Sequence, residues 1–295
     1  MQYLLGNISR QALAPARPPS YNAVMKLTSL TISLLLGLSL LACSEASGQS
    51  TNATSIPTIQ VDPRLVGIKL AMDTLSFTTA AAIRARIDQQ PEAFFRLLDA
   101  ARQQALAADG LLRLVDKQHI LPADYIPTDL VNLAEYQFDL ARNPMLLRQA
   151  AMEDLLAMVA AARAKGISLL ISSSFRSYEY QSEVYTRHVN TMGLAGANQV
   201  SARPGHSQHQ LGTAIDFGSI TDAFASTAAG QWLVAEAWRF GFSLSYPRGL
   251  TAITGYNWES WHYRYLGRAA CQLEHDYFDG IQQQLLEFLA AYFTD

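Results

Sequence analysis

Two short polar segments constrain this chain more than anything else in it: Ser207-Gln208-His209-Gln210-Leu211-Gly212-Thr213-Ala214-Ile215-Asp216 and, well downstream, Glu259-Ser260-Trp261-His262. Two histidines and an aspartate can fill three corners of a tetrahedral zinc site, and a catalytic zinc keeps its fourth corner for water. His209 and Asp216 are separated by a turn at Gly212 that leads into a strand, so they can meet without a helix. His262 must then arrive on a distant strand, and any fold for this chain has to bring the two segments together on rigid elements. Glu259 lies just before His262, within reach of a proton on that water. Metal, nucleophile and base together point to metal-assisted hydrolysis. Alone, the His209–Asp216 spacing is a weak signal, and a single histidine on a strand is more often structural. The joint pattern carries the reading.

The rest of the chain sets the context. Its 295 residues, 49% of them hydrophobic, suffice for one sizeable core. A net charge of −3 gives no reason to expect nucleic acid as a partner. Met25-Lys26 opens a short basic region, and Leu27 to Ala42 then runs almost without polar breaks to Cys43. That run is shorter than the ~20 residues of a membrane span and reads as an export signal. Ending on cysteine, it resembles a bacterial lipoprotein signal, which implies a lipid anchor at Cys43; a plain cleaved signal is the alternative. Residues 1–24 read as a start-site extension, 25–42 as the signal peptide and 43–60 as a flexible Ser/Thr/Gly/Asn-rich tether. The expected location is the cell envelope, on the non-cytoplasmic side of a membrane. With Cys43 lipidated, Cys271 has no disulfide partner and reads as a small buried hydrophobe.

Residues 61–110 form a helical N-terminal region, and 111–295 the catalytic domain. Helix is expected over Ala80 to Asp109, broken near Pro91, with a purely packing role. Another is expected from Leu146 to Lys165, ended by Gly166, and a third after Ser177. Ile167 to Ser173, Ala214 to Gly218, Phe242 to Tyr246 and Trp258 to Tyr265 read as strands. Ala228 to Phe240 reads as a helix stopped by Gly241, and Cys271 to Phe293 as one amphipathic closing helix. Strands and helices intermix without regular βαβ spacing, so the fold class is α+β.

The two opening segments fit S-x-H-x-x-G-x-A-x-D and E-x-W-H. A third, Ser173-Ser174-Phe175-Arg176-Ser177-Tyr178-Glu179-Tyr180-Gln181, fits S-x-[FY]-R-S-x-x-x-Q. Together with Gln118 to Tyr125, they resemble the zinc D-alanyl-D-alanine carboxypeptidases of bacterial cell walls, the VanY-like group, over about Leu112 to Leu266. The resemblance implies a small antiparallel sheet flanked by helices, of the hedgehog/DD-peptidase type, with zinc in a cleft. It implies that His209, Asp216 and His262 hold Zn2+. Glu259 would be general base toward the zinc-bound water and then acid toward the leaving amine. Arg176 would bind the substrate's terminal carboxylate or the developing oxyanion. Ser207 and Gln181 would line the same subsite, with capping or turn roles as the alternative, and Trp261 would wall the site or pack in the core. His206 has no ligand counterpart in the pattern and reads as a pocket-rim or loop residue. The implied partners are peptidoglycan stem peptides, with removal of the C-terminal D-alanine from the pentapeptide. An LD-carboxypeptidase acting on tetrapeptides, and a non-catalytic zinc-containing wall-binding module, are the alternatives.

Rival chemistries leave no trace. None of the four lysines has a serine three residues before it, as serine-type DD-peptidases require, and there is no H-E-x-x-H.

Overall fold

The computed structural model of the chain describes residues 63–293. The signal, the lipidated cysteine and the tether expected before residue 61 lie outside the described residues. No helix among the described residues is long and apolar enough to cross a membrane.

Three helices come first: α1 (Pro63–Met72), α2 (Phe77–Gln89) and α3 (Pro91–Ala107). Ser76 caps α2 by accepting from the Thr79 amide, and Pro91 opens α3, where its missing N–H is no loss. The break at Pro91 is the one expected. Along α3, Phe94, Leu98 and Ala101 recur at helical spacing and are buried. They face α8 (Arg268–Tyr277), while α1 lies on α9 (Gln282–Tyr292). Phe94 meets Tyr277 edge-on at 5.0 Å. Burying a phenylalanine of this kind stabilises by roughly 1.5–3 kcal/mol. The first helices are thereby stitched to the last ones, in a core that continues to Ile215 and Phe217.

Between these ends lies a five-stranded sheet in the order β2 (Asp139–Leu140), β4 (Leu170–Ser173), β5 (Ala214–Phe217), β7 (His262–Tyr265), β6 (Phe242–Leu244). It is antiparallel apart from the β2–β4 edge pair. A separate ribbon pairs β1 (Leu130–Asn132) with β3 (Leu146–Arg148). The helices α4 (Met152–Arg163), α5 (Tyr178–Val200), α6 (Ala228–Glu236) and α7 (Thr251–Thr254) complete the α+β architecture. Ser177 caps α5 by accepting from the Tyr180 amide.

Four expectations need correction. The helix expected from Leu146 starts only at Met152, because Leu146 to Arg148 pair with β1 and the Arg148 guanidinium is held by Asp129 Oδ1 at 2.6 Å. Tertiary pairing there overrides helix propensity. The closing helix from Cys271 is two helices, broken where Asp279 and Gly280 both take positive φ (55° and 67°). The strand expected from Trp258 begins only at His262, and the four residues before it form a loop. Lastly, α6 ends at Glu236, and a tighter 3-10 turn carries the chain to Gly241.

The sheet positions the site. Asp216 on β5 lies directly across from His262 on β7 and across from Ser173 on β4. Side chains so paired stand about 5 Å apart at their Cβ atoms. His209 lies in a 3-10 turn, Gln208–Leu211, and Gly212 (φ 68°) turns the chain into β5. A Cβ at Gly212 would stand 2.8 Å from Leu130 and 3.0 Å from Arg148, so both backbone and space require glycine there.

Candidate metal centre

His209, Asp216 and His262 converge, each buried, with one ligand atom apiece all within 4.8 Å of one another. His209 Nε2 lies 3.2 Å from Asp216 Oδ2, and His262 Nδ1 lies 3.0 Å from Asp216 Oδ1. The imidazole rings meet edge to face at 4.9 Å. Each ring is fixed from behind. His209 Nδ1–H donates to the Ser174 carbonyl at 2.7 Å, which leaves Nε2 free of a proton and turned toward Asp216. His262 Nε2–H donates to Gln208 Oε1 at 3.1 Å, which leaves Nδ1 turned the same way.

The electrostatics suit a cation. Burial pushes the His209 imidazole down to about 4, more than the facing Asp216 carboxylate restores. Burial alone would raise Asp216, yet the two imidazoles hold its carboxyl well below the usual carboxylate range. A neutral imidazole and an ionised carboxylate are the states in which these groups bind metal. Zinc bonds of about 2.0–2.1 Å set tetrahedral edges of roughly 3.3 Å, close to both nitrogen–oxygen separations above. Donor type, number, spacing and outer hydrogen bonds therefore fit zinc.

Glu259 sits beside the cluster, its Oε2 3.7 Å from His262 Nδ1. Burial, with Asp216 adding to it, raises its carboxyl well above the usual range, against the pull of Arg176. A divalent cation at the cluster would draw it back down. Its backbone amide donates to the Tyr246 carbonyl at 3.0 Å, which fixes the loop that carries it.

Arg176 follows the end of β4, and its amide donates to the His209 carbonyl at 3.2 Å. Its Nη1 donates to Gln181 Oε1 at 2.7 Å, and its Nη2 donates to Ser173 Oγ at 3.1 Å and lies 3.8 Å from Asp216. Its Nε is buried without a hydrogen-bond partner among the described residues. Gln181, completely buried, also donates to the Ala202 carbonyl at 2.6 Å. Gln181 therefore aims the guanidinium. Ser207 Oγ caps the 3-10 turn by accepting from the His209 amide and borders the cleft as well.

A cleft of about 660 Å3 opens over these groups. Half-buried Trp261 lines it, together with buried Tyr246 and Tyr256, half-buried Trp258 and exposed Met192 and Ile220, five residues that the sequence did not single out. Tyr246 packs on the His262 ring at 4.9 Å. His206 is not in the cluster, and its Nδ1 lies 2.8 Å from the Asp116 carbonyl. Tyr125 and Tyr178 do not line the cleft. Cys271 is buried, and burial raises its thiol well above the usual value.

Comparison with known proteins converges on one group. The family model described as VanY, D-alanyl-D-alanine carboxypeptidase, matches residues 144–268. YodJ of Bacillus subtilis is 36% identical over 175 residues, which cover 57% of this chain and 64% of that protein. VanXYC of Enterococcus gallinarum, a bifunctional D-Ala-D-Ala dipeptidase and D-Ala-D-Ala carboxypeptidase, is 31% identical over 166 residues, covering 53% of this chain and 83% of that one. The structure of the LdcB LD-carboxypeptidase, solved to explain peptidoglycan recognition, superposes with a TM-score of 0.53 at 33% identity. It covers 58% of this chain and 86% of its own.

Proposed function

The chain belongs to the VanY family of D-alanyl-D-alanine carboxypeptidases, and from that premise we propose that it is a zinc carboxypeptidase that removes the C-terminal D-alanine from peptidoglycan stem pentapeptides. The observation that carries this reading is the buried His209–Asp216–His262 cluster with Glu259 at its side and Arg176 on the same wall.

Zinc, when bound, supplies Lewis acidity toward the scissile carbonyl and eases the deprotonation of water. Glu259 takes the proton of the attacking water on its carboxylate and returns it to the departing amine nitrogen as the C–N bond breaks. Arg176 grips the terminal carboxylate, which makes the reaction an exopeptidase one. Gln181 and Ser173 hold its planar fork in place. Ser207 borders the same subsite, and Trp261 and Tyr246 supply apolar wall that limits water around the reacting bond.

The likeness to the LdcB LD-carboxypeptidase favours a second reading, cleavage of the tetrapeptide by the same machinery. Muramyl pentapeptide and tetrapeptide, incubated separately with the purified protein and followed by mass spectrometry, separate the two. Release of one alanine from the pentapeptide, stopped by a chelator and restored by zinc, supports the first. Cleavage of the tetrapeptide alone moves the assignment to the second. Zinc-loaded protein that cleaves neither favours a wall-binding module.

The protein would act outside the cytoplasmic membrane, anchored through lipid at Cys43. Replacing Cys43 by alanine should move it from the membrane fraction to the soluble exported fraction, and a variant still held in the membrane would count against the anchor.

A further inference from the structure

The closing helix α9 opens with three buried glutamines, Gln282, Gln283 and Gln284, where a core-facing helix ordinarily carries apolar residues. Gln282, 1% exposed, reaches the back of the metal centre. Its Nε2 donates to the Ser243 carbonyl at 3.4 Å and to Ser245 Oγ at 3.1 Å. Its Oε1 accepts from Gln208 Nε2 at 3.0 Å. Ser245 Oγ donates to Gln208 Oε1 at 2.7 Å, and that same oxygen receives His262 Nε2–H at 3.1 Å.

These bonds have a fixed direction. A backbone carbonyl can only accept, so Gln282 must present its amide nitrogen to Ser243 and its oxygen to Gln208. Gln208 must answer with nitrogen, which turns its own oxygen to His262. An imidazole nitrogen facing that oxygen carries the proton, so the Nδ1 lone pair of His262 is left for the metal side. Buried amides left unpaired are costly, and in this relay every amide group has a partner.

We propose that Gln282 is a positioning residue of the metal centre: acting through Gln208, it sets the tautomer and ring orientation of His262. A helix beyond the 144–268 span matched by the family model thereby takes part in metal binding. The inference rests on the zinc reading of the cluster.

Zinc affinity, measured by competition with a chromophoric chelator, tests it without substrate. Gln282→Leu and Gln208→Leu should each weaken zinc binding about ten- to a hundred-fold, the range for lost outer partners of a ligand. Gln208→Glu should bind more tightly than Gln208→Leu, because a carboxylate still accepts from His262, although Gln282 Oε1 then faces an oxygen in place of the Gln208 amide nitrogen. For the same reason the double variant Gln208→Glu/Gln282→Leu should recover what Gln282→Leu loses. The His262 Nε2–H resonance of the zinc-loaded protein, in a long-range 1H–15N spectrum, should be protected in wild type and in the double variant and lost to exchange in Gln282→Leu. A packing role for Gln282 predicts no recovery in the double variant, and that result overturns the proposal. Wild-type affinity in Gln282→Leu overturns it too. If Gln282→Leu fails to fold, Gln208→Leu against Gln208→Glu still decides, since neither alters α9; equal affinities there overturn the relay. A wild type that binds no zinc would remove the zinc reading itself and this inference with it.

Discussion

Asp216 and Glu274 are both buried carboxyl groups, yet the fold holds them in opposite states. Asp216 stands between two imidazoles with a guanidinium 3.8 Å away, and its partners keep it ionised against the cost of burial. Glu274, on α8, has one donor, the Ser243 hydroxyl at 2.7 Å, and its Oε2 has no partner among the described residues. Burial there pushes its carboxyl up to about 8, so it is neutral at pH 7. Burial by itself makes a neutral acid, and burial beside two imidazoles and a guanidinium keeps an acid ionised, the state in which a carboxylate can bind a metal. Glu259 lies between these cases: it is raised like Glu274, and a cation at the neighbouring cluster would lower it. A proton carrier needs that intermediate position.

The contrast can be broken most sharply at Asp216. Asp216→Asn keeps the shape and removes the charge. Zinc affinity should fall by more than about a hundred-fold, beyond what outer partners of a ligand carry, and turnover should go with it. Chelator competition measures this, and an unchanged affinity would make Asp216 no more than a buried structural acid.

A smaller effect is expected at Arg176. Arg176→Lys keeps the charge and loses the planar fork, so KM should rise roughly ten- to a hundred-fold, with a lesser change in kcat. On a C-terminally amidated peptide the variant and wild type should be equally poor. A variant that discriminates against the amide as strongly as wild type does would remove Arg176 from carboxylate binding.

Glu274→Gln should change turnover least and instead alter how stability responds to pH. The unfolded carboxyl titrates near 4.5 and the folded one near 8. Between those values the unfolded chain has released a proton that the folded chain keeps, so stability falls as pH rises from about 4.5 to 8. The loss is on the order of 3–5 kcal/mol at 1.36 kcal/mol per pKa unit. Urea unfolding at pH 5, 6.5 and 8 should show that decline in wild type and a flatter profile in Glu274→Gln. Parallel profiles would mean that Glu274 is ionised in the folded protein, as Asp216 is.

The site was legible in the sequence to the extent that its chemistry rests on side chains in unusual company. Asp216 falls within the otherwise apolar Ala214–Phe217, and His262 heads a strand of large residues, so each polar group stood out. Gln208 and Gln282 did not, because a glutamine on a 3-10 turn or a helix reads as surface until its partners are known. The Ser174 carbonyl that fixes His209 belongs to the backbone, and no residue pattern marks it. In the fold, the break at Pro91 and the stop at Gly241 were legible because local chemistry decides them. The strand at Leu146 was not, since its pairing partner lies elsewhere in the chain. The break at Asp279-Gly280 had a local signal in the dipeptide itself, outweighed by the apolar periodicity on either side.

Zinc content and alanine release, measured side by side in wild type and Glu259→Gln with muramyl pentapeptide, test the central claim most directly. Both proteins should hold zinc equally well, and only wild type should turn over appreciably, the variant falling by about 10²–10⁴-fold in kcat. Turnover by zinc-loaded Glu259→Gln at the wild-type rate, or wild-type turnover that survives removal of the metal, would contradict the account.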